Sequence, residues 1–182
     1  MKKLLVIIDM INGFVKEGAL ADTRINVITP NIIELIEKFK SNGHDIISFQ
    51  DAHSKNSKEF NDFPEHCIEG TKESELIDEL LPYNDVMKVI YKNSTSGFVT
   101  KEFINYLEEN KNNLEEVVIT GCCTDICVIN FAIPLKNYFN EHNLNTKIIV
   151  PKNCVETYNS QTHNSEEYNE IAFKLMKQAG IE

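Results

Sequence analysis

Short apolar runs alternate with amphipathic stretches along this chain, a pattern that predicts strands alternating with helices. Residues 3–8 contain five consecutive apolar side chains, Leu4 to Ile8, which predict a strand buried on both faces with Asp9 at its C-terminal end. Over 26–41, Ile28, Ile32, Leu35, Ile36 and Phe39 fall on one face of a helix. Pro30 lies in the first turns of that helix, where proline is tolerated, and Asn42-Gly43 closes it. Residues 44–50 predict a second strand ending at Asp51. A polar loop over 52–72 follows, then a short helix over 73–81 that stops at Pro82. Residues 86–91 predict a third strand with Lys92 at its end, and Thr100 caps a helix reaching about Asn110. The β-branched segment 115–119 predicts another buried strand, broken by Gly121.

Beyond Gly121, Thr124 and Asp125 are good N-cap residues, and Ile126, Ile129, Ala132 and Ile133 recur at helical spacing. Cys127 therefore falls in the first turn of a helix that leaves the end of a strand. Pro134 lies inside the same helical pattern, removes the bond to the Asn130 carbonyl and predicts a kink or break. A strand over 147–150 and a helix over Ser165–Gln178 complete the pattern. Such alternation implies a three-layer α/β/α fold of Rossmann type with a mostly parallel central sheet and right-handed crossovers. Ligands of open sheets bind beyond the carboxyl ends of the strands. Asp9, Asp51, Lys92 and Cys127 all fall at or just past such an end.

With 182 residues, the chain is expected to form one domain, 1–182. No apolar run approaches the ~20 residues of a membrane span. The N-terminal apolar run is short and no small-residue cleavage site follows, so it reads as a strand rather than a signal peptide, and a cytoplasmic location is expected. A formal net charge of −10 disfavours nucleic acid as a partner. Five cysteines without a C-x-x-C pair suggest reduced thiols rather than a disulfide framework or a four-thiolate zinc site. Cys122, Cys123 and Cys154 read as packing residues, Cys67 carries no assignment, and His44, His142 and His163 read as surface residues.

Backbone N–H groups and the helix dipole at the start of a helix favour a thiolate at Cys127 and can hold an oxyanion. Asp9 can act as the base, and Lys92 can favour both anions. The plainer alternatives are a buried structural cysteine and an Asp9–Lys92 salt bridge at the sheet edge. A second constellation is Asp51-Ala52-His53, Glu59 and Phe63-Pro64-Glu65-His66-Cys67. One Asp and two His suit a divalent metal with open positions, Zn²⁺, Fe²⁺ or Mn²⁺; solvated loop histidines are the alternative.

Five segments in order, Ile8-Asp9-Met10-Ile11-Asn12-Gly13-Phe14, Asp51-Ala52-His53, Phe63-Pro64-Glu65-His66-Cys67-Ile68-Glu69-Gly70-Thr71, Lys92 with Ser96-Gly97-Phe98, and Thr120-Gly121-Cys122-Cys123-Thr124-Asp125-Ile126-Cys127-Val128, carry a family resemblance. The chain resembles the isochorismatase-like cysteine hydrolases, and within them the nicotinamidase (pyrazinamidase) branch. The resemblance implies a catalytic triad of Asp9, Lys92 and Cys127, and an oxyanion hole from the N–H groups of Cys123 and Cys127 after a cis peptide. It also implies a metal, zinc foremost, held by Asp51, His53 and His66 with Glu59 as a further contributor, where the ring nitrogen of nicotinamide binds. Relatives often carry an aromatic residue three positions after the lysine, here Thr95, and many use a tryptophan, which this chain lacks. Phe14, Phe63 and Phe98 are then the candidate ring-binding residues. The expected activity is hydrolysis of nicotinamide to nicotinate and ammonia, with a small-molecule partner, no membrane, and room for a homo-oligomer. The alternatives are another small amide, an isochorismate-like substrate, or a non-catalytic binding protein of the same fold.

Overall fold

A computed structural model describes residues 2–182. Strands β1 (Lys2–Ile8), β2 (Asp45–Asp51), β3 (Lys88–Lys92), β4 (Leu114–Cys122), β5 (Lys147–Ile149) and β6 (Val155–Glu156) form one sheet. Its order is β3-β2-β1-β4-β5, with β6 also pairing β4, and every pairing is parallel. Helices α1 (Asn12–Val15), α2 (Thr29–Ser41), α3 (Lys101–Asn110), α4 (Ile129–Glu141) and α5 (Ser165–Gln178) surround it. No helix among the described residues is long and apolar enough to cross a membrane.

The apolar run of β1 is buried on both faces because alternate side chains enter different cores. Leu4, Val6 and Ile8 join a cluster with Phe103, Phe131, Leu135 and Met176 from α3, α4 and α5. Leu5 and Ile7 join Val15, Ile32, Ile36 and Phe39 from α1 and α2 on the other side. The chain moves outward from β1 to β2 to β3, then returns to the opposite side of β1 for β4. That reversal opens a crevice at the carboxyl ends of β1 and β4, the position where such sheets take ligands. Asp9 follows β1 there and the Cys127 turn follows β4.

Several boundaries differ from the sequence reading. The segment 73–81 is not a helix; single 3-10 turns occupy Lys72–Ser74 and Leu81–Val86. Between them the backbone pairs with the start of the chain instead of itself: Asn12 N–H donates to Glu75 O and Ile77 N–H to Met10 O. Leu76, Ile77 and Leu80 are thereby buried without a helix. Another 3-10 turn, Thr23–Ile28, replaces the first turn expected of α2. Nor does Pro134 break α4, which runs through it. The carbonyl of Asn130, whose helical donor is missing at Pro134, accepts from Ser96 Oγ at 2.7 Å.

Candidate active site

Asp9 leaves β1 with φ +53, a left-handed conformation that Asp adopts more readily than most residues and that turns the chain abruptly at the strand end. Its backbone N–H donates to Phe49 O at 3.0 Å, and its Oδ1 accepts from Asp51 N–H at 3.0 Å. Beside it, Gly121 has φ +107, and a Cβ there would overlap the backbone of Ile8. Glycine at 121 thus lets β4 approach β1 where their ends carry the reactive groups. The Cys122–Cys123 peptide is cis, and residues Thr124–Val128 form a wide π-type turn before α4. Cys123 O closes this turn by accepting from the N–H groups of Ile126 and Val128, each at 3.1 Å.

Lys92 is buried between two carboxylates: its Nζ lies 2.8 Å from Asp9 Oδ2 and 2.5 Å from Asp51 Oδ1. Cys127 Sγ lies within 4.8 Å of a carboxylate oxygen of both acids. The other oxygen of Asp51, Oδ2, lies 3.5 Å from His53 Nε2 and 3.9 Å from His66 Nε2. One carboxylate therefore joins the Asp–Lys–Cys group to the two-histidine group. The loop that carries the histidines is stitched at its base, where His53 N–H donates to Cys67 O and Glu69 N–H to His53 O, both at 2.9 Å.

Burial raises the Asp9 pKa from 3.8 to about 7, with Asp51 adding to the rise and Lys92 opposing it. For Lys92 burial works the other way, but Asp51 and Asp9 outweigh it and hold the ammonium charged. Burial also pushes the Cys127 thiol well above its ordinary value; Lys92 opposes this while Asp9 and Asp51 reinforce it. The helix start and the Lys92 ammonium, which favour a thiolate, are thus set against burial and two carboxylates.

A raised Asp9 pKa has a consequence for stability. The folded protein binds that proton more tightly than the unfolded chain, so this carboxyl increasingly opposes folding as pH rises from about 4 to about 7. Asp9→Asn removes the penalty while keeping the shape. In chelator-treated protein, urea unfolding at pH 5 and pH 8 should show stability shifting in favour of Asp9→Asn as pH rises, although the variant cannot take the thiol proton. A constant difference between the two pH values would contradict the assignment.

Asp51, His53 and His66, all buried, present ligand atoms within 4.8 Å of one another. His66 Nδ1 donates to Pro64 O at 2.7 Å, and His53 Nδ1 lies 3.3 Å from both Asn93 Oδ1 and Ser57 Oγ. Both rings are thus anchored at Nδ1, which leaves Nε2 to face inward. His53 Nε2 is buried and has no hydrogen-bond partner among the described residues. Such an orphaned acceptor beside a carboxylate and a second imidazole fits a divalent cation.

Glu59 stands at the margin of this group, with Oε2 3.7 Å from His53 Nε2. Thr95 grips its other oxygen through both the backbone N–H and Oγ, the latter at 2.8 Å. Thr95, where relatives often carry an aromatic residue, thus has an orienting contact of its own. Phe14 and Phe63 approach the His66 ring at 5.7 and 6.2 Å between centroids. Phe98 instead packs with Phe103, Phe131 and Tyr138 in the core beneath α3 and α4. Phe60, absent from the sequence reading, lies 5.5 Å from the His53 ring and 5.7 Å from that of His66. Its place beside Glu59 in the loop was the available signal.

The family model described as "Isochorismatase domain" matches residues 3–182. The chain belongs to the isochorismatase family. It is 32% identical to nicotinamidase 1 of Arabidopsis thaliana over 143 residues, covering 70% of this chain and 57% of that protein, so less than two thirds of that relative is matched. The crystal structure of nicotinamidase PncA from Bacillus subtilis superposes with a TM-score of 0.82 at 28% identity, covering 100% of this chain and 98% of that one. Pyrazinamidase of Pyrococcus horikoshii, solved in complex with zinc, superposes with a TM-score of 0.81 at 26% identity, covering 100% and 98%. Its three-layer fold matches that of these solved structures.

Proposed function

We propose that the protein is a metal-dependent cysteine amidohydrolase whose substrate is nicotinamide. The observation that carries this reading is Asp51, which pairs with Lys92 through one oxygen and faces His53 and His66 with the other. That arrangement sets a base and a thiol beside a site for a cation. Nicotinamide has a matching division, a basic ring nitrogen at one end and a carboxamide at the other. The names of the Arabidopsis and Bacillus relatives support the same substrate.

In this mechanism Asp9 takes the thiol proton as Cys127 sulfur attacks the carboxamide carbon. Lys92 balances the negative charge on Asp9 and Asp51 throughout. Backbone N–H groups of Cys123 and Cys127 receive the oxyanion. Asp9 returns its proton to the departing ammonia, leaving a thioester on Cys127. It then takes a proton from the attacking water, and as the carbon–sulfur bond breaks to release nicotinate it passes that proton to the Cys127 sulfur. A divalent cation held by Asp51, His53 and His66, with Glu59 alongside, supplies a Lewis-acidic anchor for the ring nitrogen. Phe14, Phe60 and Phe63 border the same space.

The test is ammonia release from a panel of small amides, nicotinamide included, before and after chelation and after reloading with Zn²⁺, Fe²⁺ or Mn²⁺. Nicotinamide should be the preferred substrate, with activity lost on chelation and restored by metal. Undiminished turnover after verified metal removal would contradict metal dependence, and preference for an unrelated amide would contradict the substrate.

A further inference from the structure

The sequence gives no reason to expect more of His163 than a surface imidazole, yet it is buried, with 6% of its surface exposed. Its ring lies between two tyrosines, 3.9 Å from Tyr158 with planes at 12° and 3.7 Å from Tyr168 with planes at 25°. Both ring nitrogens are engaged. Nδ1 is 3.0 Å from the carbonyl oxygen of Tyr158, and Nε2 is 2.8 Å from Asp125 Oδ2. A carbonyl can only accept, so Nδ1 donates to Tyr158 O while Nε2 meets the Asp125 carboxyl, and the ring bridges the two segments.

Asp125 belongs to the Thr124–Val128 turn, two residues before Cys127. Its other oxygen, Oδ1, is buried with no hydrogen-bond partner among the described residues, which makes His163 the principal support for this carboxylate. The histidine sits just before α5, where Asn164 caps the helix by accepting from Glu167 N–H at 3.0 Å. Rigid structure therefore stands on one side of the bridge and the turn carrying Cys123 and Cys127 on the other. The hydrogen bonds named above for this turn, from Ile126 and Val128 N–H to Cys123 O, lie within it and do not tie its outer flank to another element.

We propose that Asp125 and His163 form a positioning pair that holds this turn in register with Asp9, so that the sulfur and the oxyanion N–H groups meet the carboxamide together. The proposal rests on reading Cys127 as the nucleophile, but its structural half can be measured without any substrate. The pair does not touch the substrate; it acts through the turn. Its loss should therefore lower kcat and leave KM and metal affinity nearly unchanged, because neither the His53–His66 group nor the ring-binding phenylalanines are involved.

The experiment compares Asp125→Ala, His163→Phe, His163→Gln and the Asp125→Ala/His163→Phe double variant with the wild-type protein, each loaded with metal. His163→Phe preserves the stack and removes both ring nitrogens, whereas His163→Gln can still donate to Asp125. With nicotinamide, Asp125→Ala and His163→Phe should each lower kcat by at least about tenfold, since small misplacements of reacting groups carry costs of that order or more. KM should stay within about twofold, the double variant should be no worse than the more affected single variant, and His163→Gln should recover part of the loss. Hydrogen exchange in peptides covering 122–129 should accelerate in both single variants while β1 and β2 keep wild-type protection. If the wild-type protein released no ammonia from nicotinamide, the functional reading would fail, and the exchange pattern would still decide the pairing. Wild-type kcat in folded His163→Phe, multiplying losses in the double variant, or acceleration spread evenly over the sheet would each overturn the proposal. Should His163→Phe fail to fold, His163→Gln answers the same questions with a smaller expected loss.

Discussion

Cys127→Ala should reduce amide hydrolysis by on the order of 10⁴-fold or more, as removal of a covalent nucleophile does elsewhere, while the fold and metal uptake persist. The side chain is buried beside Asp9 and Lys92, so replacing it deletes sulfur without creating an unpaired charge. Asp51, His53 and His66 are untouched, and metal binding followed by calorimetry should match the wild-type protein. Sulfur at 127 lies within 4.8 Å of an Asp9 carboxylate oxygen but forms no part of the Lys92 ion pairs, so its removal should leave those pairs in place. Residual turnover near the wild-type level, or loss of metal together with activity, would place the chemistry on another residue.

The second large effect is expected at Lys92. Nζ is shared by two buried carboxylates and has no route to solvent, so Lys92→Met leaves Asp9 and Asp51 facing each other in a low-dielectric pocket. Breaking a buried pair by deleting one partner costs ~3–5 kcal/mol, because the surviving charge remains uncompensated. The variant should therefore unfold at markedly lower denaturant and be inactive. Its stability should improve on acidification through the range where Asp9 takes a proton, since a neutral carboxyl no longer needs the ammonium. A Lys92→Met protein as stable as wild type at pH 8 would mean that the two acids do not depend on this lysine.

Much of this architecture was legible in the chain because short apolar segments such as 4–8, 46–47 and 117–119 mark the strands and give way to charged or small residues. The apolar run of β1, the helical face of α2 and the Asn164-capped α5 each follow local rules that the tertiary structure does not override. The candidate site was legible for a related reason: Asp9, Asp51, Lys92 and Cys127 occupy equivalent places at strand ends, and a parallel sheet brings such ends to one edge. What escaped depended on contacts between distant segments. Residues 73–81 have helical composition, but their backbone groups are taken by residues 10–12. Pro134 is accommodated because Ser96, 38 positions earlier in the chain, serves the carbonyl that proline leaves free. His163 was read as exposed because nothing local announces that Tyr158, Tyr168 and Asp125 will surround it.

The proposed function sets stability against activity in the Asp–Lys–Cys group: Asp9 would be less costly as asparagine, but asparagine could not take the Cys127 proton. Thr95 and Glu59 show the same division of labour at the other end, a hydroxyl and a backbone N–H holding one carboxylate oxygen while the second faces His53.

The most direct measurement is rapid-quench mass spectrometry of the metal-loaded protein mixed with nicotinamide. A nicotinoyl thioester should form on Cys127 before nicotinate accumulates, and it should be absent from Cys127→Ala. Steady production of nicotinate with position 127 unmodified at every time point, or continuing unchanged in Cys127→Ala, would contradict the account.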